Sequence, residues 1–161
     1  MTTPEERISA LGLELPAPTQ MPEGVHLPFA LVNLRGGRVL FSGHPANAPD
    51  GSIAGPFGLV GADLSTEQGY AQARQVALSV LADLKAELGE LSRITGWARV
   101  FGMVASAPGY VEQHLVVNGF SDLVMEVFGP QIGRHARSAI GVSGLPLGFA
   151  MEIEGEVLIR P

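Results

Sequence analysis

The chain has 161 residues, 46% of them apolar and 16% charged, with a formal net charge of −6 and no cysteine. This describes one compact domain with its own core and excludes disorder as the dominant state. It also excludes disulfides, thiolate metal sites and a cysteine nucleophile, and the acidic balance opposes a broad phosphate-binding surface, so no nucleic-acid partner is expected.

Residues 1–20 read as a short helix carrying Ile8, Leu11 and Leu13, broken by Leu15-Pro-Ala-Pro18. No basic region precedes an apolar segment there, and no apolar run approaches a membrane span, so a cytoplasmic protein without a membrane partner is expected. Residues 1–27 form an expected peripheral arm and residues 28–161 the domain. From Pro28, the run Phe29 to Leu34, the turn Arg35-Gly-Gly-Arg38 and the run Val39 to Ser42 predict a β-hairpin ending at Gly43-His44. Residues 45–62 hold Pro45, Pro49 and Pro56 among several glycines and read as a long loop, a candidate lid or interface segment.

Ser65-Thr-Glu-Gln68 has capping-box spacing, and Tyr70, Ala73, Ala77, Val80, Leu81, Leu84 and Leu88 recur at three- and four-residue intervals until Gly89. A strand around Trp97, Val100 and Phe101 follows over Ile94 to Val104. A second helix is predicted from about Tyr110 to Phe128, with a fresh cap at Ser121 and a stop at Gly129-Pro130. The order β-β-α-β-α-β-β predicts an α+β sandwich, helices on one face of a mixed sheet. Its other face needs a cover, so oligomerisation is expected.

The last two strands surround Gly144-Leu145-Pro146-Leu147-Gly148. In the first, Ser138, Ile140 and Val142 alternate with Arg137, Ala139 and Gly141; in the second, Met151, Ile153 and Val157 alternate with Glu152, Glu154 and Glu156. If both apolar sets share one face, Arg137 falls on the side of Glu152 and Glu154. Two readings fit: a solvated face with a surface ion pair, or a roomy site in which a cation, a cavity and carboxylates meet. His26, His44, His114 and His135 lack paired metal spacing, so no metal and no cofactor are called for. Trp97 reads as core or interface, and Asn118 as a cap or a hydrogen bond across a subunit contact.

These residues resemble the YjgF/RidA family, also called L-PSP endoribonuclease-like proteins, over about Pro28 to Ile159. The resemblance rests on Pro28-Phe29, Ser42-Gly43-His44, Ala73-Arg74-Gln75, Val117-Asn118, Ala136-Arg137-Ser138, Leu145-Pro146 and Met151-Glu-Ile-Glu154. Asn118 to Gly129 together with the N-terminal arm resemble a longer-chain branch. The resemblance implies a chorismate-mutase-like fold, a homotrimer with clefts between subunits and, for deaminating members, hydrolysis of enamine or imine acids to 2-oxo acids and ammonia.

Carried over residue by residue, Arg137 would grip a substrate carboxylate through its planar fork, and Glu152 would handle the attacking water. Phe29, Gly43, His44 and Ala139 would line the substrate site. Phe29 replaces a tyrosine common in deaminating members, Ala139 a cysteine, and His44 a glutamine, where it is a candidate polar contact or acid/base group. Three functions follow: imine or enamine hydrolysis, non-catalytic binding of a small carboxylate or metabolite, and ribonuclease or translation inhibition, which the net charge opposes.

Overall fold

The computed structural model describes residues 2–160 and contains α1 (Pro4–Ala10), β1 (Val32–Arg35), β2 (Arg38–His44), α2 (Thr66–Leu88), β3 (Ile94–Ala105), α3 (Gln113–Gly133), β4 (Ala136–Val142) and β5 (Met151–Ile159). The five strands form one mixed sheet in the order β1-β2-β5-β3-β4, with β3 and β4 parallel and the other neighbours antiparallel. Helices α2 and α3 cover one face, as the α+β reading predicts. No helix among the described residues is long and apolar enough to cross a membrane.

The core lies between that face and the two helices. Val39 and Phe41 of β2, Val100 and Val104 of β3, and Met151, Ile153 and Val157 of β5 pack with Val76, Val80, Leu81 and Leu84 of α2 and with Val117, Phe120 and Val124 of α3. Four rings, Phe41, Trp97, Phe120 and Phe128, meet at centroid separations between 5.6 and 6.4 Å. Trp97 is therefore core. The reciprocal Ser65–Gln68 cap starts α2 as its spacing requires. Gly119 is a close-approach residue: a Cβ there would run into the Tyr70 carbonyl oxygen, so its lack of a side chain lets α2 and α3 touch.

Three expectations need correction. The first 20 residues are not peripheral, because Ile8 is only 6% exposed within the core and Thr19 is tied to Asp83 of α2. Helix α3 breaks at Gly129-Pro130 as predicted but does not end there. Gly129 (φ 73°, ψ 170°) interrupts it, Pro130 starts a further turn whose first N–H would be unpaired anyway, and the helix ends at Gly133. Ser121 lies inside α3 rather than capping it, with its hydroxyl engaged by His135 and Arg137.

The 45–62 loop is fastened down. Gln75 Nε2 donates to the Asn47 carbonyl at 3.0 Å, Gln72 Nε2 to the Pro56 carbonyl at 2.8 Å, and the Asn47 N–H to Ser79 Oγ at 3.0 Å.

Candidate functional site

Strand β4 presents its faces the other way round from the sequence reading. Ile140 is 41% exposed, whereas Arg137, Ala139 and Gly141 turn toward α3. The small side chains let α3 sit close: a Cβ on Gly141 would lie 2.7 Å from Gln113 Nε2 and 3.0 Å from Ser106 Oγ. On β5 the expected division holds, with Met151, Ile153 and Val157 buried and Glu154 exposed. Arg137 and Glu152 of one chain therefore lie on opposite faces of the sheet, with β3 between their strands. Placing them side by side on one face was wrong, because the open face also carries apolar residues and an apolar stripe does not identify the covered side.

Arg137 is half-buried at the edge strand. Its Nη1 donates to Asn118 Oδ1 and to Ser121 Oγ, each at 3.0 Å, and its Nη2 donates to the His114 carbonyl at 3.3 Å. All three acceptors are neutral and come from α3, where positions 114, 118 and 121 recur at helical spacing on one side. Burial holds the guanidinium below the ordinary arginine range, and only the nearby Asp122 charge opposes that shift. Asp122 itself accepts the Tyr70 hydroxyl at 2.8 Å. Among the described residues no carboxylate forms an ion pair with Arg137. A partly desolvated cation is thus held by neutral acceptors alone among the described residues.

Glu152 stands on the open face beside Gly43, where a Cβ would come within 3.1 Å of Glu152 Oε2. Gly43 thus makes room for the carboxyl. Burial pushes the Glu152 carboxyl above the ordinary glutamate range, the Glu154 charge adds to this, and His44 works against it. A carboxyl raised toward neutrality suits proton transfer. Phe29 is 55% exposed on the same face and borders a cavity of about 310 Å³ with Leu40, Ser42, Arg99, Phe101 and Glu154.

His44 lines no cleft. It is 0% exposed, with Nδ1 2.6 Å from the Ser42 carbonyl oxygen and Nε2 2.9 Å from Asp83 Oδ2. Both ring nitrogens thus face oxygen acceptors, and the ring is paired with the buried Asp83 carboxyl. Burial opposes the Asp83 charge, but hydrogen bonds from His44 and Thr19 outweigh it and hold the carboxyl below its usual range. The role of pocket contact for His44 is corrected accordingly: its ring is sealed under the sheet, and its charge reaches Glu152 only through space.

The structure thus brings Gly43 and Glu152 together, keeps Phe29 on their face, sends Arg137 and Ala139 to the other, and buries His44. Sequence reasoning missed Ser121 and His135 as partners of Arg137 and gave Asn118 only a generic hydrogen bond. The His114, Asn118, Ser121 spacing was the signal available. No cluster of three or more potential metal ligands occurs among the described residues.

Residues 5–151 match the family described as "YjgF/chorismate mutase-like, putative endoribonuclease". The chain belongs to the YjgF family. Protein TCP17 of Trypanosoma cruzi is 42% identical to it over 113 residues, covering 70% of this chain and 69% of that one. The crystal structure of Atu1372 from Agrobacterium tumefaciens is 37% identical, with a TM-score of 0.84 over 98% of this chain and 92% of the other. A Shewanella oneidensis structure carrying the same endoribonuclease designation is 31% identical, with a TM-score of 0.87 over 98% and 99%. The five-stranded sheet with helices on one face is thus the YjgF fold, and the family match begins within α1.

Proposed function

We propose that this YjgF protein hydrolyses 2-imino or 2-enamine acids to 2-oxo acids and ammonia, in a cleft that two copies of the chain build together. The supporting observation is Arg137, a half-buried guanidinium with neutral partners and, among the described residues, no carboxylate of its own. A second copy is needed because Glu152 and Arg137 of one chain lie on opposite sheet faces; the edge strand of one protomer set against the open face of the next supplies both. A cyclic homotrimer repeats that contact three times and covers the exposed Leu40, Ile140 and Leu158.

In the reaction Arg137 holds the substrate carboxylate through two N–H groups. Water attacks the carbon of the protonated imine, one water proton passes to the ionised Glu152, and the C=N π pair goes to nitrogen, leaving a carbinolamine. Glu152 returns that proton to the amino group; the C–N bond then breaks, ammonia leaves, and the hydroxyl proton passes to Glu152 as the carbonyl forms and from there to solvent. The raised Glu152 carboxyl suits these transfers. No cofactor enters, and the location proposed is the cytoplasm. We carry over no ribonuclease activity, since a net charge of −6 disfavours tracking a phosphate backbone.

Coupling an amino-acid oxidase or a serine/threonine dehydratase to the protein and following 2-oxo acid formation tests this. Acceleration that disappears in Arg137→Ala is expected; equal rates with and without the protein would refute it. A second reading, binding without turnover, is favoured by Phe29, whose exposed ring offers no hydroxyl to place water. Ligand-dependent thermal stabilisation without turnover would establish it.

A further inference from the structure

Arg137 is held by more than its own strand. His135, two residues before it, places Nδ1 2.7 Å from the Gly133 carbonyl oxygen and Nε2 3.0 Å from Ser121 Oγ. A carbonyl only accepts, so Nδ1 carries the hydrogen. Burial, and after it the Arg137 charge, lower the His135 pKa, which keeps the ring neutral and leaves Nε2 with a lone pair. Ser121 has a single hydroxyl hydrogen, and Nε2 takes it. Its oxygen can then present only lone pairs to Arg137 Nη1, 3.0 Å away. Without His135 the hydroxyl could rotate and turn its hydrogen toward the cation.

The donor count shows the consequence. A guanidinium has five N–H groups. Asn118 Oδ1 and Ser121 Oγ use both on Nη1, and the His114 carbonyl uses one on Nη2. One hydrogen on Nη2 and the one on Nε have no acceptor among the described residues. Arg38 shows the use of that pair of nitrogens in this same chain, gripping Glu156 through Nε and Nη2 at 2.5 and 2.8 Å.

We infer that Ser121 and His135 are positioning residues that fix the Arg137 guanidinium so that Nε–H and one Nη2–H stay free for the two oxygens of a ligand carboxylate. This deepens the proposed function and rests on its assignment of Arg137. A fixed fork binds more tightly than a mobile one, because the rotamer entropy is already lost before the ligand arrives.

The test uses the full chain and 2-oxobutanoate as the carboxylate probe. Ser121→Ala is expected to raise its dissociation constant by about tenfold, the scale of one hydrogen bond to a charged group. Ser121→Thr, which keeps the hydroxyl, should bind like the wild type, and Arg137→Ala should lose binding. In the proposed reaction KM should rise in Ser121→Ala with kcat less affected. Unchanged affinity in Ser121→Ala while Arg137→Ala loses binding would overturn the positioning role.

Nitrogen-15 NMR reads the arrangement without ligand. His135 should show hydrogen on Nδ1 and none on Nε2, and Arg137 should show restricted rotation of its guanidinium that Ser121→Ala releases and Ser121→Thr preserves. A His135 ring protonated on Nε2, or equal Arg137 mobility in wild type and Ser121→Ala, would sink the inference. If the NMR result is as expected and 2-oxobutanoate fails to bind the wild type, the carboxylate assignment of Arg137 fails instead, and with it the claim that the free pair serves a ligand.

Discussion

Removing the Asp83 carboxylate would cut a polar knot that joins three distant parts of the chain. Asp83 accepts the Thr19 N–H at 2.8 Å, the Thr19 hydroxyl at 2.5 Å and His44 Nε2–H at 2.9 Å. Asp83→Ala loses all three bonds and leaves the buried His44 ring nitrogen and the Thr19 groups without partners. At roughly 1 kcal/mol for each bond, somewhat more for charged ones, the expected loss is about 3–5 kcal/mol. Asp83→Asn should cost far less, since an amide nitrogen can donate to a neutral His44 Nε2 while its oxygen still accepts from Thr19. Urea unfolding at fixed protein concentration measures both variants. Proteolysis near residues 17–20 should accelerate in Asp83→Ala, because Thr19 loses its anchor. Two variants of equal stability, or a loss under about 1 kcal/mol in Asp83→Ala, would refute the buried pair. The pH dependence has a definite sign. Burial alone would raise the Asp83 pKa, but the bonds from His44 and Thr19 leave it below 3.8, so the folded state binds this proton less readily than the unfolded one. That contribution is complete above pH 3.8 and is lost as pH falls below it through the folded value.

Gly119→Ala should destabilise the fold by about 2 kcal/mol despite the better helix propensity of alanine, because the added carbon meets the Tyr70 backbone rather than a movable side chain; a thermal melt that rises would contradict the close α2–α3 contact. Gly43→Ala should displace the Glu152 carboxyl and lower imine hydrolysis by at least tenfold with little change in 2-oxobutanoate affinity, measured by paired kinetics and calorimetry. Mixing equal amounts of Arg137→Ala and Glu152→Gln chains, unfolding and refolding them together, should restore about one quarter of wild-type activity if each cleft takes Arg137 from one copy and Glu152 from another. No recovery would place both residues of a working site in one chain.

Much of the fold is legible because its strongest signals are local. The Ser65–Gln68 cap, the apolar recurrence from Ala73 to Leu88 and the glycine pair between Arg35 and Arg38 each determine their element without help from the rest. The second helix resisted because the Gly129-Pro130 stop signal is genuine but incomplete: the chain leaves helical geometry at Gly129 and re-enters it at once. Docking of α1 was hidden for another reason. A seven-residue helix offers one buried side chain, Ile8, and the bonds from Thr19 to Asp83 and from the Leu91 N–H to Glu5 span 64 and 86 residues, so no local pattern reveals them.

The candidate site divides along the same line. Period-two alternation states which residues share a face, and it does so correctly for Arg137, Ala139 and Gly141 as for Glu152, Glu154 and Glu156. It does not state which face is covered when both carry apolar residues. On β5 the three glutamates decide the matter, since carboxylates in a row cannot all be buried under helices. On β4 the deciding residue is Arg137, and it misleads: a long cation looks like a solvent-facing residue, yet α3 supplies Asn118, Ser121 and the His114 carbonyl to receive it. Those acceptors lie 16 to 23 residues earlier in the chain, so the buried half of the site depends on a helix–strand pairing that only the fold creates. An arginine flanked by small residues on an edge strand, with polar residues at helical spacing just upstream, is the pattern that would have pointed to the covered face.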